Sequence, residues 1–317
     1  RSRGLGDVYK RQVLARGGIM DHTSKKGLIT ALSCYIIWGL LPLYWALLNH
    51  VSPYNILAQR IIWSGVCMAI VVFGLHFKQF KKDFQLLKEQ RSQLFLLLVA
   101  AVIISVNWFT YIWAIANNQV MNTSLGYYIN PLFNVVLGVI LFKEVLSIPK
   151  KLSVLIATIG IALLTYQVGS LPLVSMILAV SFGLYGAVKK KLLISPFTSI
   201  AFEAWLLTPL ALLYTTMVDN TVWSYFGTDW YTTMLLIACG LTTSVPLVLF
   251  SYGAQLLPLN LLGFLQYVSP TIALLLAIFY FGESFGTPQM IAFGCIWIAL
   301  VLFSLSSQIT TRISLKK

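Results

Sequence analysis

Two ionisable side chains stand inside otherwise apolar stretches, and any chemistry this chain performs has to start from them. Arg60 sits in the run Ala58-Gln59-Arg60-Ile61-Ile62-Trp63-Ser64, and Glu203 in Ala201-Phe202-Glu203-Ala204-Trp205. A charge in hydrocarbon costs at least about 2.5–3.5 kcal/mol, so such residues normally face a partner or a wet cavity. A guanidinium suits a carboxylate, and a buried carboxyl can hold or release a proton, its pKa raised by burial and lowered by a nearby Arg. The pair therefore predicts an Arg60–Glu203 interaction, or a cavity with a solute between them. A salt bridge that only holds the protein together is the plainer alternative. Uncharged polar groups at Asn107, Asn117, Ser124, Tyr128, Asn130, Asn134, Thr242, Gln255, Gln266 and Tyr267 add hydrogen-bonding capacity. Some serve only between helices, at about 0.6–2 kcal/mol each. With Trp38, Tyr44 and Trp108 as aromatic walls, the candidate solute-binding set is Arg60, Glu203, Asn107, Tyr128, Asn130, Gln266, Tyr267, Trp38, Tyr44 and Trp108.

No catalytic constellation accompanies them. The sequence has no Gly-rich phosphate loop before a Lys, no His pair at helical spacing and no Gly-x-Ser-x-Gly elbow. Cys34, Cys67, Cys239 and Cys295 form no Cys-x-x-Cys or Cys/His pattern of the kind metals require, and read as packing residues. No enzyme activity, cofactor or metal is expected.

The elements that must position these side chains are hydrophobic helices. With 58% hydrophobic and 10% charged residues among 317, the chain has too few polar side chains for a water-facing surface, so the bilayer must be its solvent. Runs long enough to cross about 30 Å of hydrocarbon fall at 27–48, 53–74, 92–116, 123–142, 150–167, 171–188, 197–217, 230–253, 259–281 and 288–307. They predict an all-α polytopic membrane protein of ten transmembrane helices; a barrel would need alternating polarity, which these continuous runs lack. Asn130-Pro131 and Ser269-Pro270 lie within spans, where a proline frees a backbone carbonyl that only protein or a wet cavity can satisfy.

The net charge of +13 is distributed rather than patched, which excludes a nucleic-acid face. Positive residues lie before the first span (Lys25, Lys26), in alternate connections (Lys78, Lys81, Lys82, Lys88, Arg91; Lys143, Lys150, Lys151; Lys189, Lys190, Lys191) and after the tenth (Arg312, Lys316, Lys317). The opposite connections carry Asp219, Asp229 and Glu283 but no Lys or Arg, so both termini are expected in the cytoplasm. Residues 1–19 read as a non-native leader, with Met20 as the native first residue and a mitochondrial-type presequence as the weaker alternative.

A shift of 139 positions superimposes spans three to five on spans eight to ten without a gap: Ser105 on Ser244, Tyr128 on Tyr267, Pro131 on Pro270, Phe142 on Phe281, Glu144 on Glu283 and Pro149 on Pro288. Gly39 meets Gly183 at a slightly larger shift, and the second and seventh spans are mates. The division is 20–167 and 168–317, five helices each. An odd number inverts the second copy, and inverted repeats supply two nearly equivalent conformations, one open to each face. A duplication that merely built a stable bundle is the competing reading.

The motifs Tyr35-x2-Trp38-Gly39-x2-Pro42-x-Tyr44, Arg60-x2-Trp63-Ser64, Asn107-Trp108, Ser124-Leu125-Gly126-Tyr127-Tyr128-Ile129-Asn130-Pro131-Leu132, Ser181-Phe182-Gly183-Leu184-Tyr185-Gly186 and Gly263-Phe264-Leu265-Gln266-Tyr267-Val268-Ser269-Pro270 give a further indication. With these the chain, from Met20 onward, resembles RarD-type members of the EamA branch of the drug/metabolite transporter superfamily, a bacterial inner-membrane group. The resemblance implies ten helices in two five-helix repeats, and export or exchange of small amphipathic metabolites or drugs. Where that family commonly has Glu, His and Glu, this chain has Asn55, Gln59 and Asn122. The expectation is a secondary transporter, a permease whose cavity between spans one to four and six to nine takes one small organic solute, embedded in the lipid bilayer and with oligomeric state left open. A ligand-binding membrane receptor without flux is the alternative.

Overall fold

A computed structural model of the chain describes residues 22–117, 119–168, 173–282 and 286–315. The leader segment 1–19 and Glu283 lie outside them, as do the side chains of Asn122 and Pro288. The described elements are helical: α1 (His22–Ala46), α2 (Pro53–Leu75), α3 (Phe77–Glu89), α4 (Arg91–Ala116), α5 (Val120–Phe142), α6 (Ile148–Val168), α7 (Leu173–Lys191), α8 (Pro196–Leu213), α9 (Trp230–Leu256), α10 (Leu259–Gln266), α11 (Val268–Phe279) and α12 (Thr287–Leu315). A π-helical turn (Tyr214–Val218) and a 3-10 turn (Thr221–Tyr225) follow α8. Among the described residues nine segments are long and apolar enough to cross a membrane, α10 and α11 counting as one (Leu259–Phe279), and α12 adds the shorter apolar stretch Met290–Ser306.

Local sequence sets the helix ends. Pro53 and Pro196 open α2 and α8, where a missing N–H costs nothing and the fixed φ is already helical. Asp229 caps α9, accepting from the Thr232 amide at 3.1 Å and the Thr232 hydroxyl at 2.6 Å. These bonds favour the ionised carboxyl and hold its pKa below the ordinary carboxylate value. At the end of α5 the chain turns through Lys143, whose φ of 52° is left-handed, and Glu144 then accepts from the Leu259 and Asn260 amides at 2.6 and 2.9 Å. Glu144 is thus a cap that α10 borrows from the connection after α5.

The ninth span runs Leu259–Phe279 with one irregularity: Pro270 has no N–H to give the Gln266 carbonyl, and the helical hydrogen bonding lapses at Tyr267, between α10 and α11. Its repeat mate Pro131 leaves α5 unbroken. The basic connection after the second span is not a loop but α3, whose Phe80 and Phe84 rings stack on Phe202 at 5.9 and 6.4 Å while Lys81, Lys82 and Lys88 stay exposed.

The helix ends that carry the lysines gather at one face, called the basic face below: Lys190 and Lys191 lie over the Phe142 ring beside Lys143, Lys26 lies over Tyr252 near the end of α9, and the Leu193 amide donates to Gln93 Oε1 close to Arg91. In the bundle α9 packs along α1 and α2, α2 along α8, α7 along α4 and α5, α10 on α5, α11 on α1, and α6 on α12. Close approach of α2 and α9 depends on Gly240, where a Cβ would overlap the Trp63 carbonyl; Ser64 Oγ donates to the Gly240 carbonyl at 3.2 Å.

Candidate solute-binding cavity

Between these helices lies a cavity of about 310 Å³. α1 contributes Trp38, Leu41, Pro42 and Trp45, α2 Arg60, and α4 Asn107, Trp108 and Tyr111. α5 adds Thr123, Ser124, Tyr127 and Tyr128, α7 Phe182, and α9 Thr243 and Leu247, while Gln266, Ser269, Pro270 and Ala273 come from the broken segment α10–α11. Trp45 is the next-to-last residue of α1 and Thr123 the fourth of α5, so the cavity reaches within a turn of the face opposite the lysines.

Among the described residues, Arg60 is the charged side chain in this wall. Its Nε donates to Thr243 Oγ1 at 3.0 Å, and its guanidinium carbon stands 5.0 Å from the Trp45 ring centre and 5.6 Å from that of Trp108. Two indole faces stabilise a cation through their quadrupoles, most strongly where water is scarce. The terminal Nη groups have no hydrogen-bond partner among the described residues.

Toward the basic face the cavity ends on an aromatic layer. Trp38 meets Phe182 at 5.5 Å and Phe250 at 5.7 Å, Phe182 meets Phe250 at 5.1 Å, and Tyr185 stacks on Phe250 at 5.9 Å. Beyond this layer Lys189 of α7 pairs with Glu203 of α8. Lys189 Nζ also donates to Ser199 Oγ at 2.5 Å, Ser199 Oγ to Glu203 Oε1 at 3.0 Å and the Tyr185 hydroxyl to Glu203 Oε2 at 2.8 Å. Lys189 is fully enclosed and Glu203 is 4% exposed.

The expected Arg60–Glu203 contact is therefore absent, and Glu203 is not a cavity residue. Arg60 lies seven residues past Pro53 and Glu203 seven past Pro196, each about 10 Å from its helix start at 1.5 Å per residue. Because α2 and α8 start from opposite faces, that equal depth places the two charges at different levels. Arg60 was also expected to be the lone Lys or Arg within a span; Lys189, read as a loop residue, lies inside α7.

Six of the expected site residues do line the cavity: Arg60, Asn107, Tyr128, Gln266, Trp38 and Trp108. The remaining three, besides Glu203, pack beside it. Tyr44 donates to the Leu235 carbonyl, Asn130 Nδ2 donates to the Ala179 carbonyl at 2.7 Å, and the Tyr267 hydroxyl donates to the Tyr128 carbonyl at 3.3 Å. Asn107 holds α4 to α7 through the Leu178 carbonyl at 3.1 Å and Ser181 Oγ at 2.9 Å. Trp45, Tyr111, Tyr127 and Thr243 were not singled out from sequence. Tyr111 lies one helical turn after Asn107 and Trp108, and Tyr127 beside Tyr128, so periodicity from the named residues would have found both.

Comparison with known proteins bears on what such a cavity does. The profile of the EamA-like transporter family matches residues 25–166 and again 170–305. A Bacillus subtilis protein named uncharacterized transporter YojE is 41% identical over 292 residues, covering 90% of this chain and 96% of its own length. The Escherichia coli protein RarD is 37% identical over 290 residues, covering 91% and 97%, and the Pseudomonas aeruginosa uncharacterized transporter PA0485 is 39% identical over 287. One crystal structure superposes with a TM-score of 0.69 over 89% of this chain and 98% of its own; at 16% identity it speaks for the fold alone.

Proposed function

The chain belongs to the EamA-like transporter family as a RarD-type member, and from that premise we propose that this multi-pass membrane transporter is a secondary carrier. It moves a small organic solute across the bacterial inner membrane by alternating access, with both termini in the cytoplasm. The observation that carries this reading is the asymmetry of the cavity, which reaches toward one face and is stopped toward the other by the aromatic layer and the Lys189–Glu203 pair.

Residues matched by the internal repeat are in opposite situations, which is what two inverted halves in different states would look like. The units are 20–167 and 168–317, and the family profile matches twice along the same division. Tyr128 lines the cavity, whereas Tyr267 is fully enclosed with its hydroxyl on the Tyr128 carbonyl. Arg60 faces the cavity beneath Trp45, whereas Glu203, at the same depth in its own helix, is held by Lys189; with Gly39 matched to Gly183, Trp45 falls on Lys189. Exchanging these situations closes the outer end and opens the basic face. The gathering of lysines at that face supports the reading that it is the cytoplasmic one.

The test is release from proteoliposomes loaded with a mixture of small metabolites. Protein-dependent, saturable loss of at least one solute is expected. A solute that raises the unfolding midpoint of the purified protein yet never crosses would instead make the chain a receptor.

A further inference from the structure

We propose that the solute is a small organic monocarboxylate with a flat apolar body and no ammonium group, its carboxylate held by the Nη groups of Arg60. This rests on the carrier reading and names its substrate class.

The guanidinium is already oriented. Thr243 holds Nε, and the Trp45 and Trp108 rings lie within 5.0 and 5.6 Å of its carbon. The Nη donors are left over, and a guanidinium presents such donors to a carboxylate in matched, two-pronged geometry. Among the described residues, no Asp or Glu lines the cavity. Glu203 is spent on Lys189, Glu144 on the α10 amides, and Asp83 on the Ser195 amide at 3.1 Å and the Thr198 hydroxyl at 2.5 Å.

Charge balance then sets the ligand's sign. A carrier that encloses its load in a low-dielectric interior does so at least cost when the enclosed charges cancel. Arg60 with a monoanion is neutral, whereas a cation doubles the charge and an amino acid brings an ammonium for which the described wall residues offer no counter-ion. The volume of 310 Å³ stands at the low end of the roughly 300–1,000 Å³ seen for ligand pockets, which favours a metabolite of modest size. Trp38, Phe182 and Leu247 offer it flat apolar walls. Gln266, whose Oε1 accepts from Asn134 Nδ2 at 3.1 Å, keeps Nε2 without a hydrogen-bond partner among the described residues, a donor for one further polar group.

The experiment is thermal unfolding and tryptophan fluorescence of the full chain in nanodiscs. The acids are benzoate, phenylacetate and phenylpyruvate, set against benzamide, phenylacetamide, phenethylamine and phenylalanine. At least one acid should bind tenfold or more tightly than its amide or amine counterpart. Arg60→Gln should abolish that preference and Arg60→Lys keep part of it. Should Arg60→Gln fail to fold, Thr243→Val, which frees the guanidinium from its anchor, should still narrow the preference several-fold. Amides binding as well as acids, an unchanged preference in both Arg60→Gln and Thr243→Val, or no response to any acid would overturn the assignment. Flux in vesicles separates the two readings: neutral solutes carried independently of Arg60 leave a carrier without the carboxylate site, and acids bound but never carried leave the site without the carrier.

Discussion

A buried ion pair is poor glue and a good latch. Removing two charges from water costs several kcal/mol per ion, repaid only where geometry and further hydrogen bonds are good. Lys189 and Glu203 meet that condition because Ser199 and Tyr185 occupy the remaining carboxylate positions. Glu203→Gln or Lys189→Met alone should therefore lower the protein's stability by about 3–5 kcal/mol, whereas replacing both with apolar side chains should recover most of it. Thermal unfolding of the two single variants and the Lys189→Met/Glu203→Leu double variant checks this; equal losses in all three would exclude a coupled pair. Of this pair the sequence showed one member. Glu203 stood out as a carboxylate in an apolar run, but Lys189 opens a run of three lysines and looked solvated, because hydropathy averages over a helix end. Its spacing of four from Tyr185, matched by Ser199 and Glu203 on the facing helix, carries the information that the average discards.

Local sequence opens α2, α8 and α9, but the start of α10 and the break after it are decided by neighbours. Pro131 and Pro270 occupy equivalent repeat positions, yet α5 runs through the first and the ninth span breaks before the second. Proline was a legible signal for a cavity wall in both cases, but which carbonyl is satisfied, and so which helix breaks, depends on tertiary partners that appear only on folding. Glu144→Ala removes the acceptor for two α10 amides and should cost about 0.5–2 kcal/mol in unfolding free energy, the range for losing a helix cap. A smaller loss would mean that water or another group caps α10. Gly240→Val places atoms against the Trp63 carbonyl and should cost about 1–3 kcal/mol, typical of overpacking, by pushing α2 from α9. Unchanged thermal stability in that variant would contradict the close approach.

At the scale of the whole molecule, helical architecture and membrane environment were legible because hydrocarbon leaves a backbone few alternatives and long apolar runs declare it. Which polar residues meet was less so. Arg60 and Glu203 are equal in depth from opposite faces, a relation visible only once both helix starts are set within one bundle. The repeat that made them look like partners makes them counterparts at the two ends of the pathway proposed above. The central claim, that one cavity is reached from each face in turn, is tested most directly at Ala273, which lines it. Ala273→Cys would be made with Cys34, Cys67, Cys239 and Cys295 replaced, and treated with a membrane-impermeant maleimide from either side of the membrane. Labelling should occur from the face opposite the lysines, and the latch variant Glu203→Gln should add labelling from the basic face. Labelling from one face only, whatever the state of the latch, would contradict alternating access.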